Sequence, residues 1–402
     1  MPDQALSHLK VLELCNFVCG PYCTKLLADL GAEVIKIEPP AIGDEARRRS
    51  PFPNDIPNHE ASGLFLYLNT NKLGITLDIN STTGQSIFRE LVKQTDILIE
   101  DNPPKMMTEM GLTYTELNKL NPRLVMTSIT PFGQTGPYRD YKAYELNSFH
   151  AGGEGYMMPI ESIYPTREPV KGGGLVGDCM CALSASLATL AAAYRLSETS
   201  EGQHVDVSKQ EVLMTMVGLE VAMYTYSKTV RTRHKRKAML STPKECRDGY
   251  IMISAFGDRD WQTFARFIGK DSWAEEERFS TPMKRWENSD EIDQYVEEWA
   301  KRQKNQELFH RLEANALAAS PVNTSEDLLK SPQLESRGFF VEIDHPKAGK
   351  LKYPSVSYHL SSTPCNTWCP APLLGQHNEL VYCGRLGYSK QDLTKLAEAG
   401  DI

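Results

Sequence analysis

The stretch KGGGLVGDCMCAL, residues 171–183, places an acid directly after a run of glycines, and this combination can do chemistry in three ways. Gly172, Gly174 and Gly177 satisfy the pattern G-x-G-x-x-G, which in a dinucleotide-binding loop lets the backbone approach a pyrophosphate. Asp178 stands where a helix-like run begins, so it is suited to cap that helix or to act as a nucleophile. The surrounding sequence has to decide between these uses.

The residues that precede the glycines disfavour dinucleotide binding. A true fingerprint follows a strand directly and lies in the first βα turn of its domain. The preceding residues, SIYPTREPVK, contain Pro165 and Pro169, and proline is poorly tolerated in a buried strand. The first βα turn, CNFVCGPYC, has Gly20 alone. Nicotinamide or flavin binding is therefore not predicted.

Asp178 remains as a helix cap, a nucleophile or both. An aspartate N-cap accepts a hydrogen bond from an amide in the first helical turn, and the helix N-terminus favours its ionised form. An ionised carboxylate is also a nucleophile, so the two roles are compatible. The loop Gly172–Gly174 can bring bare amides to a substrate carbonyl, and we predict these amides as donors to a developing oxyanion.

Strand and helix patterns alternate through the first third of the chain, which indicates a mostly parallel sheet with helices on both faces. The predicted strands are Leu9–Leu14, Ala32–Glu38, Leu73–Ile79, Asp96–Asp101 and Arg123–Thr130, with helices Tyr22–Gly31, Thr83–Gln94 and Tyr114–Asn121 between them. After Asp178 the spacing predicts a buried helix, and His204–Ser208 reads as a further strand. The fold class is α/β, with a large Rossmann-like domain.

Three segments follow from the change of pattern along the chain. Residues 1–228 form the first part of the large α/β domain, and residues 229–319 form a linker and a smaller α+β domain. Residues 320–402 are predicted to return and complete the large domain. The basic run Lys228–Lys237 is interpreted as a solvated linker, because charge runs avoid packed cores.

Composition excludes several classes of ligand and site. The net charge of -8 disfavours nucleic acids and anionic membranes as partners, so an anionic ligand requires a local basic or amide-lined site. The nine cysteines include no C-x-x-C pair, which indicates a reducing compartment and no metal site. With no leader-like start and no 18-residue apolar span expected, we predict a cytoplasmic protein.

Motifs along nearly the whole chain resemble those of the class III coenzyme A transferases, the family that includes formyl-CoA:oxalate transferase and the crotonobetaine/carnitine CoA-transferases. They are LKVLELCNFVCGPYCTKLLADLGAEVIKIEPPAIGDEAR, NTNKLGITLDI, TDILIEDNPP, MGLTYTELNKLNPRLVMTSITPFGQTGPY, the pair Gly177–Asp178, GQHVDVSKQEVL and LGQHNELV. The resemblance implies that Asp178 attacks an acyl-CoA thioester to give a mixed anhydride and a CoA thiolate. It also implies an interlocked homodimer, with CoA as a substrate and no permanently bound cofactor.

The same resemblance carries a set of CoA contacts onto this chain. These positions are Val18, Cys19, Leu77, Asp78, Asp101, Asn102, Pro103, Lys142, Ala143 and Tyr144. The chain departs from the formyl-CoA transferase pattern at Pro39, Leu73 and Glu109, where that enzyme has arginines. Arg47 and Lys142 are then the candidate cations for the CoA phosphates, with ordinary exposed surface charge as the alternative.

The acceptor side of the site is less constrained. Many relatives have glutamine where Phe149 stands, which favours a more apolar acceptor acid, and His150, Gly173 and Gly174 are further candidate substrate contacts. An α-methylacyl-CoA racemase is a second hypothesis, although Tyr144 occupies the place of the histidine that moves the proton there. A non-catalytic CoA-binding protein, with Asp178 only a cap, is the third.

Overall fold

The computed structural model describes residues 4–159, 168–233, 239–240, 242–365 and 368–402. The chain divides into a large unit, made of Met1–Met158, Glu168–Arg231 and Gly338–Ile402, and a small unit centred on Thr232–Arg337. Pro165 lies outside the described residues, as do residues 234–237 of the basic run. Each unit is described by itself.

A six-stranded, wholly parallel sheet forms the centre of the large unit, in the order β3-β2-β1-β4-β5-β6. The strands are β1 (Lys10–Leu14), β2 (Glu33–Glu38), β3 (Lys72–Thr76), β4 (Ile97–Glu100), β5 (Val125–Thr130) and β6 (His204–Ser208). On β1, Val11 pairs with Val34 of β2 on one side and Ile97 of β4 on the other. The predicted α/β class is confirmed, and the strand order reverses direction between β1 and β4.

Helices cover both faces of this sheet. The α-helices described before the small unit are α1 (Cys19–Asp29), α2 (Gly63–Leu68), α3 (Thr82–Val92), α4 (Pro104–Glu109), α5 (Tyr114–Leu120), α6 (Glu145–Ala151), α7 (Val176–Thr199), α8 (Lys209–Met216) and α9 (Gly218–Ser227), and α9 has no buried residue. Leu27 of α1 and Ala185 of α7 are buried with Val11 on one face. Phe88 of α3 is buried with Leu12 on the other, because successive strand residues point to opposite faces.

The helix α7 is long and apolar enough to cross a membrane by length and composition, and half of its most apolar window is buried inside the protein. The expectation that the chain has no 18-residue apolar span is therefore wrong. Alanines and serines between the larger apolar residues make this span less conspicuous in the sequence, but its mean hydropathy is 1.5. Leu187 and Tyr194 of this helix are each 72% exposed.

In the described part of the small unit, an antiparallel sheet in the order β7-β8-β9 packs with helices around a core that contains Trp261. Its elements are β7 (Lys244–Cys246), β8 (Gly249–Ser254), α10 (Asp258–Phe267), α11 (Pro282–Glu287), α12 (Ser289–Ala300), α13 (Asn305–Ala314), β9 (Ala318–Pro321), α14 (Ser325–Leu329) and α15 (Pro332–Ser336). Because β9 pairs with β8, the small unit continues past the predicted boundary at residue 319 and ends at Arg337.

The C-terminal segment closes the large unit at its β3 edge. It contains the antiparallel hairpin β10 (Phe340–His345) and β11 (Gly349–Pro354), a π-helical turn (Glu379–Cys383) and α16 (Lys390–Ala399). Asn378 Oδ1 accepts a hydrogen bond from the Thr76 amide at 2.9 Å, and the Tyr382 hydroxyl donates to the Thr76 carbonyl at 2.5 Å. These contacts pair backbone groups that an open sheet edge would leave exposed.

Candidate active site

The reversal of strand order between β1 and β4 creates a crevice at the carboxyl ends of these strands, the usual ligand position in such a sheet. A cavity of about 150 Å³ lies there, and its lining includes Asn16, Pro39, Leu77 and Asn102. The Asn102 side-chain amide donates to the Leu14 carbonyl at 3.0 Å, which fixes the loop after β4 against the end of β1. Two of the predicted CoA contacts, Leu77 and Asn102, therefore line one cavity.

Asp178 lies in the first turn of α7 with its side chain only 4% exposed. The prediction that it caps this helix is wrong, because the N-cap residue is Leu175 and no side chain caps from that position. The Gly177 amide instead donates to Glu145 Oε1, at 3.1 Å, so a carboxylate of α6 occupies the helix N-terminus. The Asp178 carboxylate is thereby left free for another partner.

That partner is Lys209, the first residue of α8, which directly follows β6. Lys209 Nζ lies 2.8 Å from Asp178 Oδ1, and 15% of the lysine side chain is exposed. Burial by itself lowers the pKa of Lys209, but Cys19, Asp178 and Asp101 outweigh burial and raise the pKa above its ordinary range. The site thus holds a permanent ammonium against the candidate nucleophile.

Asp101 interacts electrostatically with Lys209 and forms a hydrogen bond with a residue of the cavity. Its Oδ1 accepts a hydrogen bond from the Asn16 amide at 3.0 Å, and Asn16 lines the cavity. Burial raises the pKa of Asp101 to about 8, although Lys209 and the Asn16 amide act to lower it. Burial also raises the pKa of the neighbouring Glu100 to about 7. The raised pKa means that Asp101 holds its proton more tightly than an exposed aspartate does, so it cancels less of the Lys209 charge near neutral pH.

The glycine loop before α7 presents open backbone. A Cβ placed on Gly173 or Gly174 would meet no atom within 4 Å, and one on Gly172 would come 3.8 Å from Phe149 Cζ. Gly174 has a φ of +67°, which a side chain would strain. Among the described residues the Gly173 and Gly174 amides have no hydrogen-bond acceptor. The loop is therefore able to take an acyl group against its backbone.

Phe149 and His150 differ in exposure. Phe149 is 1% exposed and belongs to the apolar core below the glycine loop. His150 is exposed and its ring sits against Gly155, where an added Cβ would come 2.1 Å from Nδ1. Only the edge of Phe149 faces the loop, so the structure brings Phe149, and not His150, next to the glycines.

The remaining predicted CoA contacts fall into two groups. Val18 is the N-cap residue of α1 and Cys19 its first residue; they stand two and three positions after the cavity residue Asn16, and both are buried. Asp78 follows the cavity residue Leu77, but its carboxylate accepts from the Asn80 amide at 3.0 Å in a local turn. The second group consists of Pro103, at the N-cap of α4, and Lys142, Ala143 and Tyr144. None of these four is among the described residues that line the cavity. Lys142 Nζ lies 5.4 Å from the centroid of the Tyr144 ring.

Arg47 is not available to a phosphate, contrary to the prediction. Its side chain is 1% exposed, with Nε 2.6 Å from Glu38 Oε2 and Nη1 2.7 Å from Glu60 Oε2. The guanidinium also lies 3.7 Å from the centroid of the Phe65 ring. The sequence could not show these partners, since Glu38 and Glu60 come from different segments of the fold. Arg47 stabilises the fold, because a buried guanidinium needs paired carboxylates.

An unpredicted cation, Arg49, is linked through Glu45 to the cavity residue Asn16 instead. Arg49 is exposed and lies 5.3 Å from the centroid of the Phe17 ring, paired with Glu45. The Glu45 amide in turn donates to Asn16 Oδ1 at 2.8 Å. The three positions that depart from the arginine pattern supply no cation here: Pro39 lines the cavity, Leu73 packs on the core and Glu109 pairs with Lys105. Within the described ranges no cluster of metal-ligating side chains is present.

Comparisons with known proteins give the family of the chain. The model of CoA-transferase family III matches residues 6–378. Succinyl-CoA–D-citramalate CoA-transferase of Chloroflexus aurantiacus is 31% identical, over 98% of this chain and 97% of its own length. Formyl-CoA:oxalate CoA-transferase of Streptomyces coelicolor is 29% identical, over the full length of both chains.

Among solved structures, a CAIB/BAIF family protein from Brucella suis superposes with a TM-score of 0.83 at 27% identity, over 95% of this chain and 99% of that one. The family match spans most of both units, and the relatives match over their whole length. The chain therefore belongs to CoA-transferase family III.

Proposed function

We propose that the protein moves CoA from an acyl-CoA thioester to a free carboxylic acid through an acyl anhydride on Asp178. The observation that carries this proposal is the shielded Asp178 carboxylate, 4% exposed and paired with Lys209, whose charge also acts on Asp101, the residue before Asn102 in the lining of the cavity at the sheet switch point. Related chains are named for transfers among succinyl-CoA, formyl-CoA, oxalate and D-citramalate, all carboxylic acid chemistry.

Each step of the proposed reaction takes place at or beside the carboxylate of Asp178. An Asp178 oxygen attacks the thioester carbonyl, the carbon–sulfur bond breaks and CoA leaves as a thiolate. The acceptor carboxylate then attacks Asp178 Cγ, the bond from Cγ to the bridging oxygen breaks, and the donor acid departs as a carboxylate with that oxygen. The CoA thiolate attacks the acceptor carbonyl, which forms the new thioester and frees Asp178. The anhydride conserves the activation of the thioester, and the low exposure of Asp178 protects the anhydride from water.

The CoA moiety is proposed to enter at the cavity between β1 and β4. The N-terminal amides of α1, at Cys19 and Gly20, favour an anionic group at this edge of the sheet. Arg49 supplies a positive charge beside Asn16, in place of the arginines that the family pattern would have put elsewhere. The thiol end would pass Asp101 and reach Asp178, with the glycine loop facing the acyl group.

The large unit is proposed to pair with a second copy of the chain, as the resemblance implies. α9 has no buried residue, and α7 exposes Leu183, Leu187 and Tyr194 at between 53% and 72%. Exposed apolar surface of this kind indicates a protein interface. A second copy of the same chain would cover the apolar residues of both helices.

The test is a mass-spectrometric screen of acyl-CoA donors against a panel of carboxylic acids, run with wild-type protein and with Asp178→Ala. New CoA esters are expected from wild type alone, while circular dichroism shows that the variant is folded. An active Asp178→Ala protein would refute the mechanism. Exchange of the α-proton with solvent in the absence of any acid would favour the racemase hypothesis, and CoA binding without any product would favour a binding protein.

A further inference from the structure

The contact between Lys209 and Asp178 assigns a role to a residue outside the predicted site. We propose that Lys209 is a second catalytic residue, whose ammonium stabilises the oxyanion that forms on Asp178 Oδ1 when a nucleophile attacks the Asp178 carbonyl carbon. This inference rests on the proposed function, because it concerns the anhydride formed on Asp178. It concerns the step in which the acceptor acid displaces the donor acid at the Asp178 carbonyl, and not the final attack of the CoA thiolate on the acceptor carbonyl.

The two oxygens of Asp178 have different surroundings. Oδ1 accepts a hydrogen bond from Lys209 Nζ at 2.8 Å, whereas Oδ2 has no donor among the described residues. The unbonded oxygen is the better nucleophile, since it loses no hydrogen bond on attack. Oδ2 therefore becomes the bridging oxygen of the anhydride, and Oδ1 becomes the carbonyl oxygen that remains against the ammonium.

An anhydride offers two carbonyl carbons to the next nucleophile. Attack on the substrate carbonyl places negative charge on a substrate oxygen, while attack on Asp178 Cγ places that charge on Oδ1. In the second case the new bond forms to Cγ, the bond from Cγ to the bridging oxygen breaks, and the acid departs as a carboxylate with that oxygen. Lys209 keeps its proton throughout, so the step needs no proton transfer. The fixed ammonium lowers the barrier at Cγ.

Burial and local charge make the ammonium effective. The side chains of Asp178 and Lys209 are 4% and 15% exposed, so the attraction between charges is weakly screened by water. Asp178 is the only hydrogen-bond acceptor of Lys209 Nζ within the described part of the chain, which leaves further N–H donors for the reacting group. Because the pKa of Asp101 is raised, this acid cancels less of the charge of Lys209 near neutral pH than an exposed aspartate would.

Hydroxylamine distinguishes the two carbonyls. Its attack on Asp178 Cγ leaves a hydroxamate on the protein, detected in the Asp178 peptide by mass spectrometry, whereas attack on the other carbonyl releases a free acyl hydroxamate. Each variant is incubated with acyl-CoA and hydroxylamine without acceptor acid, and the background from Asp178→Ala is subtracted. Wild type is expected to give mainly the protein hydroxamate. Lys209→Met is expected to lower the ratio of protein to free hydroxamate about 100-fold, the usual effect of removing one oxyanion donor.

Two further variants make the result specific. Lys209→Arg keeps a cation and is expected to restore much of the ratio, and it also serves if Lys209→Met fails to fold. Lys244→Met is the matched control, because Lys244 is 2% exposed and its Nζ lies 2.8 Å from Asp293 in the small unit. This control is expected to lose stability and keep the wild-type ratio.

The outcomes separate this inference from the proposed function. An unchanged ratio in Lys209→Met, with an acyl adduct still forming on Asp178, would overturn the role of Lys209 alone. A ratio that falls equally in Lys244→Met would also overturn it, since general destabilisation would then explain the change. Absence of any adduct in wild type, with every donor tried, would overturn both proposals.

Discussion

The stability of the large unit depends on the ion pair between Asp178 and Lys209. Replacing Lys209 by methionine keeps the length of the side chain and removes its charge, so Asp178 becomes a shielded carboxylate without a counter-ion. At 2.8 Å the attraction between the charges is about 6 kcal/mol at an effective dielectric constant of about 20. Removing one partner of such a pair costs about 3–5 kcal/mol.

The reverse replacement, Asp178→Asn, is expected to be less damaging. Asp101 remains beside Lys209 and ionises more readily once Asp178 is neutral, so the ammonium keeps a partner. The double variant should recover most of the loss seen in Lys209→Met, because neither charge is then left unpaired. The expected coupling energy is about 2–3 kcal/mol.

Thermal unfolding of the single and double variants measures this coupling at fixed protein concentration. The small unit contains four of the five tryptophans, and only Trp368 lies in the large unit. Tryptophan fluorescence therefore reports mainly the unfolding of the small unit, whereas circular dichroism reports the unfolding of both units. A loss of 3–5 kcal/mol lowers Tm by about 6–10 °C for a unit of this size. Wild-type Tm in Lys209→Met, or a double variant no better than that single variant, would refute the reasoning.

Three other predictions follow from the contacts. Arg47→Met leaves Glu38 without its cation, so it should lower stability by about 3–5 kcal/mol and leave KM for acyl-CoA unchanged; a raised KM at unchanged Tm would contradict the assignment. The pKa of Asp101 is about 8 in the folded protein and about 4 in an unfolded chain, so the folded state binds more protons and loses stability as the pH rises from about 4 to about 8. Asp101→Asn should reduce the fall of Tm with pH over this interval. An unchanged fall of Tm in Asp101→Asn would contradict the raised pKa. Light scattering should show a dimer for wild type and a monomer for Leu187→Asp, whereas a dimer in both would place the interface elsewhere.

The sheet could be predicted from the sequence because strand patterns are local signals, whereas the role of Asp178 was predicted only from the resemblance to a family. Alternation of apolar residues marks a strand wherever it folds, and all six strands occur within a few residues of their predicted positions. The short helices α2, α4 and α6, of six or seven residues, were not predicted, since such lengths show little periodicity.

What could not be predicted depends on contacts between distant segments. Lys209 reaches Asp178 across 31 positions in the sequence, and its one signal is a lysine directly after a strand that ends at the ligand-binding edge. Arg47 was misassigned for the same reason, because the carboxylates that bury it lie in separate segments. The prediction that Asp178 caps α7 was wrong, because Glu145 from α6 occupies the N-terminus of that helix.

The most direct test of the central claim follows an oxygen atom. Turnover is run with an acceptor acid whose carboxylate carries heavy oxygen, and the peptide containing Asp178 is then analysed by mass spectrometry. Because the acceptor joins Asp178 through one of its own oxygens and leaves that oxygen behind when CoA takes the acyl group, the Asp178 carboxylate is expected to become labelled. Labelled acyl-CoA product together with an unlabelled Asp178 peptide would contradict an anhydride on this residue.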